Sequence, residues 1–135
     1  MIVDTGVFVA AANDSEPDHP ACGSLLAEAT SALIVPAMVI AEATFMIERA
    51  GGPAAESRFL RSLRSPTYVV EAPSPEDLLR ASELVEEYAD LPLGGTDASI
   101  VAIAERLGET TLATLDRRHF SVVRPRHVDS FELRP

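Results

Sequence analysis

Four carboxylates carry most of the chemical information in this sequence. Asp4 closes the apolar run Met1-Ile2-Val3, and Asp116 closes Thr110-Thr111-Leu112-Ala113-Thr114-Leu115. Asp97 stands at the mouth of an otherwise apolar helix, Gly94 to Gly108. Glu42 has Met38, Val39, Phe45 and Met46 three or four positions to either side, which sets it inside an apolar helical stripe. Taken singly, each acid has a plain explanation. An acid at a helix start is favoured by the helix dipole, worth about 0.3 to 1 kcal/mol, and an acid in an apolar stripe needs only a compensating partner. Taken together they do not, because four carboxylates in one crevice repel one another unless a cation neutralises them. An all-oxygen set suits Mg²⁺ or Mn²⁺ rather than zinc. The chemistry that follows is attack of a metal-activated water on a phosphodiester. Arg117 and Arg118, next to Asp116, are candidates for contacts to flanking phosphates. His19, His119 and His127 have no ligand-like spacing and read as loop residues without a role.

The elements that must bring these acids together alternate between strand and helix. Met1 to Val3 is a buried strand that turns at Thr5-Gly6 into a short helix, followed by a loop from Asn13 to Pro20 and a helix from about Pro20 to Ala29. Leu33-Ile34-Val35 is a second strand, ended by Pro36, which opens the helix Ala37 to Ala50. Gly51-Gly52 stops that helix and Pro53 starts another, with Phe59, Leu60 and Leu63 inward and Arg58, Arg61 and Arg64 on a solvated face. Thr67 to Glu71 is a third strand. The cap Ser74-Pro75-Glu76-Asp77 opens a helix with the inner stripe Leu78, Ala81, Val85 and Tyr88. The helix after Gly94, capped by Thr96 or Asp97 and closed by Gly108, is apolar on nearly every side and therefore buried. Thr110 to Leu115 is a fourth strand, and a last edge strand is expected near Ser121 to Arg124. This alternation means an α/β fold with a parallel sheet and helices on both faces, whose ligands bind at the carboxyl ends of the strands.

At 135 residues the chain, residues 1-135, is expected to form one domain. The longest uncharged run, Ala29 to Ala41, is too short for a membrane span, and no signal peptide precedes the first strand, so a cytoplasmic protein is expected. A single cysteine, Cys22, excludes an internal disulfide and a cysteine-based zinc site. The net charge of -10 argues against a protein that coats nucleic acid generally. Its distribution is uneven: residues 1 to 116 hold 19 acids and six arginines, and residues 117 to 135 hold five arginines and two acids. An acidic body with a basic end can still grip a phosphate locally.

Four segments, Ile2-Val3-Asp4-Thr5, Val39-Ile40-Ala41-Glu42, Leu93-Gly94-Gly95-Thr96-Asp97-Ala98 and Thr114-Leu115-Asp116-Arg117-Arg118-His119-Phe120, resemble the PIN-domain ribonucleases. The nearest likeness is to the VapC toxins of bacterial toxin-antitoxin pairs. The resemblance covers almost the whole chain and implies a Rossmann-like three-layer domain whose sheet has about five mostly parallel strands. It implies metal held by Asp4, Glu42, Asp97 and Asp116, with the hydroxyls of Thr5 and Thr96 orienting the acids or their water. It also implies endonucleolytic cleavage of RNA, a homodimer, and a cognate antitoxin that covers the crevice. Rival readings fare worse. Asp4-Thr5-Gly6 spells the aspartic-protease signature, but that fold is all-β. A haloacid-dehalogenase-type phosphatase needs an acid where Gly6 stands, and a response-regulator receiver needs a lysine, which this chain lacks entirely. The remaining alternative is a binding module of the same fold that sequesters RNA or a partner protein without cutting.

Overall fold

A computed structural model describes all residues, 1-135. The chain order is β1 (Ile2–Val3), α1 (Thr5–Ala12), α2 (His19–Ala27), β2 (Leu33–Pro36), α3 (Ala37–Ser62), β3 (Tyr68–Glu71), α4 (Pro75–Glu87), α5 (Gly95–Leu107), β4 (Thr111–Ala113), α6 (Arg117–Phe120) and β5 (Glu132–Arg134). The five strands form one sheet in the order β3-β2-β1-β4-β5, and every pairing is parallel. β1 is central, with Ile2 opposite Ile34 on one side and Leu112 on the other. All strands therefore end at the same edge of the sheet, and the segments leaving β1, β2 and β4 start there.

Burial explains why these segments hold. Ile2, Val3, Leu33, Val35, Leu112 and Ala113 on the strands are almost wholly buried, as are Ile100, Val101 and Ile103 on α5. Each large apolar side chain so buried contributes about 1.5 to 3 kcal/mol. The helices pack in two groups, α1 with α2 and α3, and α4 with α5. α4 opens with a capping box, in which the Ser74 hydroxyl accepts from Asp77 N and the Asp77 carboxylate accepts from Ser74 N. Arg106 of α5 then pairs with the buried Asp77 at 2.8 Å, joining the two helices.

Several expectations need correction. The last strand is Glu132–Arg134, not Ser121 to Arg124; Val123 is buried in irregular chain after α6, and the edge strand, whose one apolar residue is Leu133, pairs with β4 along all three of its residues. The break expected at Gly51-Gly52 is present, by contrast: within α3 two helices meet at a kink at Gly52, φ 71°, ψ -177°, a conformation essentially reserved for glycine, and Pro53 opens the second of them. α5 is preceded by Gly94 as its cap, with no side-chain cap from Thr96 or Asp97. Leu60, Leu78 and Val85, expected inward, are exposed, and the inner face of α4 is instead Asp77, Ala81 and Leu84. The same one-residue offset affects α3. Its buried row is Val39, Ala43 and Ile47, which turns Glu42, Phe45 and Met46 outward.

Candidate functional site

The peptide after β1 fixes the first acid. Asp4 N donates to Ala113 O at 2.9 Å, continuing the sheet by one residue, and the Asp4 carboxylate accepts from Thr5 N at 2.6 Å as the cap of α1. Its other oxygen accepts from the Thr114 hydroxyl at 2.7 Å. Thr114 Oγ1 in turn accepts from Asp116 N at 2.9 Å, so one buried threonine joins the residues that follow β1 and β4. Asp116 caps the short α6 through a bond from His119 N at 2.9 Å. Glu42 reaches the same place from α3 and accepts from the Thr5 hydroxyl at 2.9 Å.

Asp4, Glu42, Asp97 and Asp116 all line one open cavity of about 600 Å³, together with Thr5, Arg117 and Arg118. The structure thus brings together every acid singled out by sequence, and both arginines. Thr96 is the exception: it does not line the cavity, and its carbonyl is occupied by the Ser99 hydroxyl at 2.7 Å. Arg117 is partly engaged, donating to the Pro135 backbone oxygen, whereas Arg118 is exposed and has no ion-pair partner. Glu42 needs no buried counter-charge, because it is exposed at the cavity wall.

The electrostatics of the cavity are those of a site short of positive charge. Asp4 is only 6% exposed, and its pKa is pushed up to about 6. Burial is the main cause; the charges of Asp97 and Glu42 add to it, and the bonds from Thr114 and Thr5 oppose it. Asp97 is also raised, again mainly by burial, with His119 opposing and the charges of Asp116 and Glu42 adding. Carboxylates that resist ionisation this way gain from a divalent cation, and their oxygen donors are those magnesium and manganese accept. The donor set therefore fits such an ion.

His119 corrects the sequence reading. It is not an idle loop residue: its Nδ1 lies 2.9 Å from Asp116 Oδ2 and 3.2 Å from Asp97 Oδ2, and these three residues form a group able to hold a metal ion. His19 and His127 do have plain structural roles, each with a ring nitrogen on a backbone carbonyl, of Ala10 at 3.0 Å and Glu109 at 2.7 Å. The sequence signal for His119 was its place three residues after Asp116, one helical turn on. Thr114 was signalled only by its place two residues before the strand-end acid Asp116.

The PIN domain profile matches residues 1–124. Among curated proteins, ribonuclease VapC26 of Mycobacterium tuberculosis is 34% identical over 125 residues, covering 93% of both chains. Among solved structures, the crystal structure of Mycobacterium tuberculosis VapC20, described as a sarcin-ricin loop cleaving toxin, is similar with a TM-score of 0.84 at 19% identity. That similarity covers 99% of this chain and 98% of the other.

Proposed function

The chain belongs to the VapC family of PIN-domain ribonucleases, and from that premise we propose that it is a toxin that cuts RNA endonucleolytically with a bound Mg²⁺ or Mn²⁺. The observation that carries this reading is the convergence of Asp4, Glu42, Asp97 and Asp116 on one cavity at the carboxyl edge of the sheet. These acids would hold the ion. The chemistry such an ion supplies when bound is a hydroxide-like nucleophile at neutral pH and positive charge against the leaving oxygen.

The chain's own groups prepare that step. Thr114 and the Thr5 peptide hold the Asp4 carboxylate in one orientation, and the Thr5 hydroxyl does the same for Glu42. Positions fixed in advance need no reorganisation when charge develops. Arg118, and Arg117 beside it, offer donors to phosphates on either side of the scissile bond. With few aromatics and no tryptophan, the substrate is an RNA recognised by the shape of a structured loop.

The partners follow the same reading. We propose a homodimer and a cognate antitoxin that covers the cavity, supported by the apolar side chains left open on α3 and α4, namely Phe45, Met46, Leu78, Leu79 and Val85. No helix is long and apolar enough to cross a membrane, and we place the protein in the cytoplasm.

Purified protein incubated with a structured RNA tests the reading. Cleavage is expected with Mg²⁺ or Mn²⁺, and loss of cleavage with EDTA or in Asp97→Asn. Full activity in EDTA would overturn the metal requirement. Tight RNA binding without cleavage under any metal would favour the sequestering module instead.

A further inference from the structure

We propose that His119 is a nitrogen ligand of the metal site, joining Asp97 and Asp116, and that it tilts the site toward Mn²⁺ over Mg²⁺; the inference rests on the metal-dependent reading above. The first argument is geometric. Ligand atoms about 2.1 Å from a small octahedral ion are separated from their cis neighbours by roughly 3.0 Å, and His119 Nδ1 lies 2.9 Å from Asp116 Oδ2 and 3.2 Å from Asp97 Oδ2.

Those distances alone would also suit hydrogen bonds, but Nδ1 makes none. Nδ1 is a buried atom without a hydrogen-bond partner, although two carboxylate oxygens lie within reach. A buried ring nitrogen close to two carboxylate oxygens and hydrogen-bonded to neither is available to share an ion with them, and the three ligand atoms lie near enough to one another for one ion. His119 is also held in place independently of any metal, since its backbone N–H donates to the capping Asp116 carboxylate at 2.9 Å and Phe120 next to it is fully buried.

The chemical consequence is selectivity. Carboxylate and water ligands alone suit Mg²⁺ and Mn²⁺ alike, whereas an imidazole nitrogen, a softer donor, adds affinity for first-row transition ions, least for Mn²⁺ among them but still more than for the harder Mg²⁺. His19 and His127 cannot substitute, because their rings are engaged elsewhere with backbone carbonyls.

Electron paramagnetic resonance on full-length protein, stripped of metal and titrated with Mn²⁺, reads this directly. Pulsed spectra of the wild-type complex should carry the coupling of a directly bound imidazole nitrogen. His119→Ala should lose it and His19→Ala should keep it. In His119→Ala the Mn²⁺ affinity should fall about tenfold or more, and the Mg²⁺ affinity by less than about threefold. His119→Gln, which keeps a polar side chain at the position, should also lack the coupling, and so covers the case in which the alanine variant fails to fold. Wild-type protein that binds Mn²⁺ without nitrogen coupling overturns the inference, as does coupling that survives in either His119 variant. Wild-type protein that binds no Mn²⁺ overturns the metal-dependent reading itself, a separate and distinguishable failure.

Discussion

The Thr114 hydroxyl donates to Oδ2 of Asp4 at 2.7 Å, a bond between residues 110 positions apart that follow neighbouring parallel strands. It gives the one deeply buried acid of the site its side-chain donor. Thr114→Val keeps the shape and removes the hydroxyl, leaving Asp4 short of a partner. The expected loss is about 1 to 3 kcal/mol of stability by chemical denaturation, with RNA cleavage reduced, while Thr114→Ser retains both.

The pH dependence of the metal-free protein should run opposite to that of an ordinary folded acid. Asp4 is raised from 3.8 to about 6, so between those values the folded state binds the proton more tightly than the unfolded chain. Stability from this group is fully present below about pH 4 and is lost as pH rises through 6, by up to about 3 kcal/mol. Asp97 is shifted the same way. Urea denaturation in EDTA should therefore give a higher midpoint at pH 5 than at pH 7.5, and Asp4→Asn should flatten the difference. Saturating Mn²⁺ should reverse it, because the ion binds the deprotonated native site.

Arg118 and Arg117 differ in their freedom, so their removal should differ too. Arg118→Ala, measured by RNA binding in an Asp97→Asn background, should weaken affinity and reduce the slope of log K against log salt by about 0.7, one phosphate contact on a single strand. Arg117, already bonded to the Pro135 oxygen, should give the smaller change. Equal slopes for Arg118→Ala and its parent would show that this side chain meets no phosphate.

Gly52 offers a test of the fold apart from the chemistry. Its φ of 71° with ψ of -177° sits in a region that a side chain strains by about 1 to 3 kcal/mol. Gly52→Ala should lower the thermal midpoint accordingly while leaving RNA cleavage per folded molecule unchanged. A neutral effect would mean the bend in α3 relaxes at no cost.

What was legible in the sequence is what local pattern controls. Apolar runs ending in Asp4 and Asp116 announced strands with acids at one edge, and the apolar helix between two glycine-marked ends announced a buried α5. What was not legible depended on three-dimensional partners. The apolar residues around Glu42 suggested a buried acid, but helical periodicity cannot say which of two adjacent rows faces the core; Val39, Ala43 and Ile47 do, and Glu42 is turned outward. The valine pair Val122-Val123 looked more like a strand than Glu132-Leu133-Arg134, because an edge strand needs few apolar residues once β4 offers it a backbone ladder. His119 acquires meaning only when α5 delivers Asp97 beside it.

The central strand is also the first in the chain, and that ordering has a consequence for synthesis. β1 has neighbours at residues 33 to 36 and at residues 111 to 113, so Asp4 lacks its Thr114 bond until most of the polypeptide has been made. Contacts of such long sequence separation form late, after their loop-closure entropy has been met. A growing chain on the ribosome therefore carries its acids apart, and the proposed RNA-cutting site is assembled only once translation has passed Asp116.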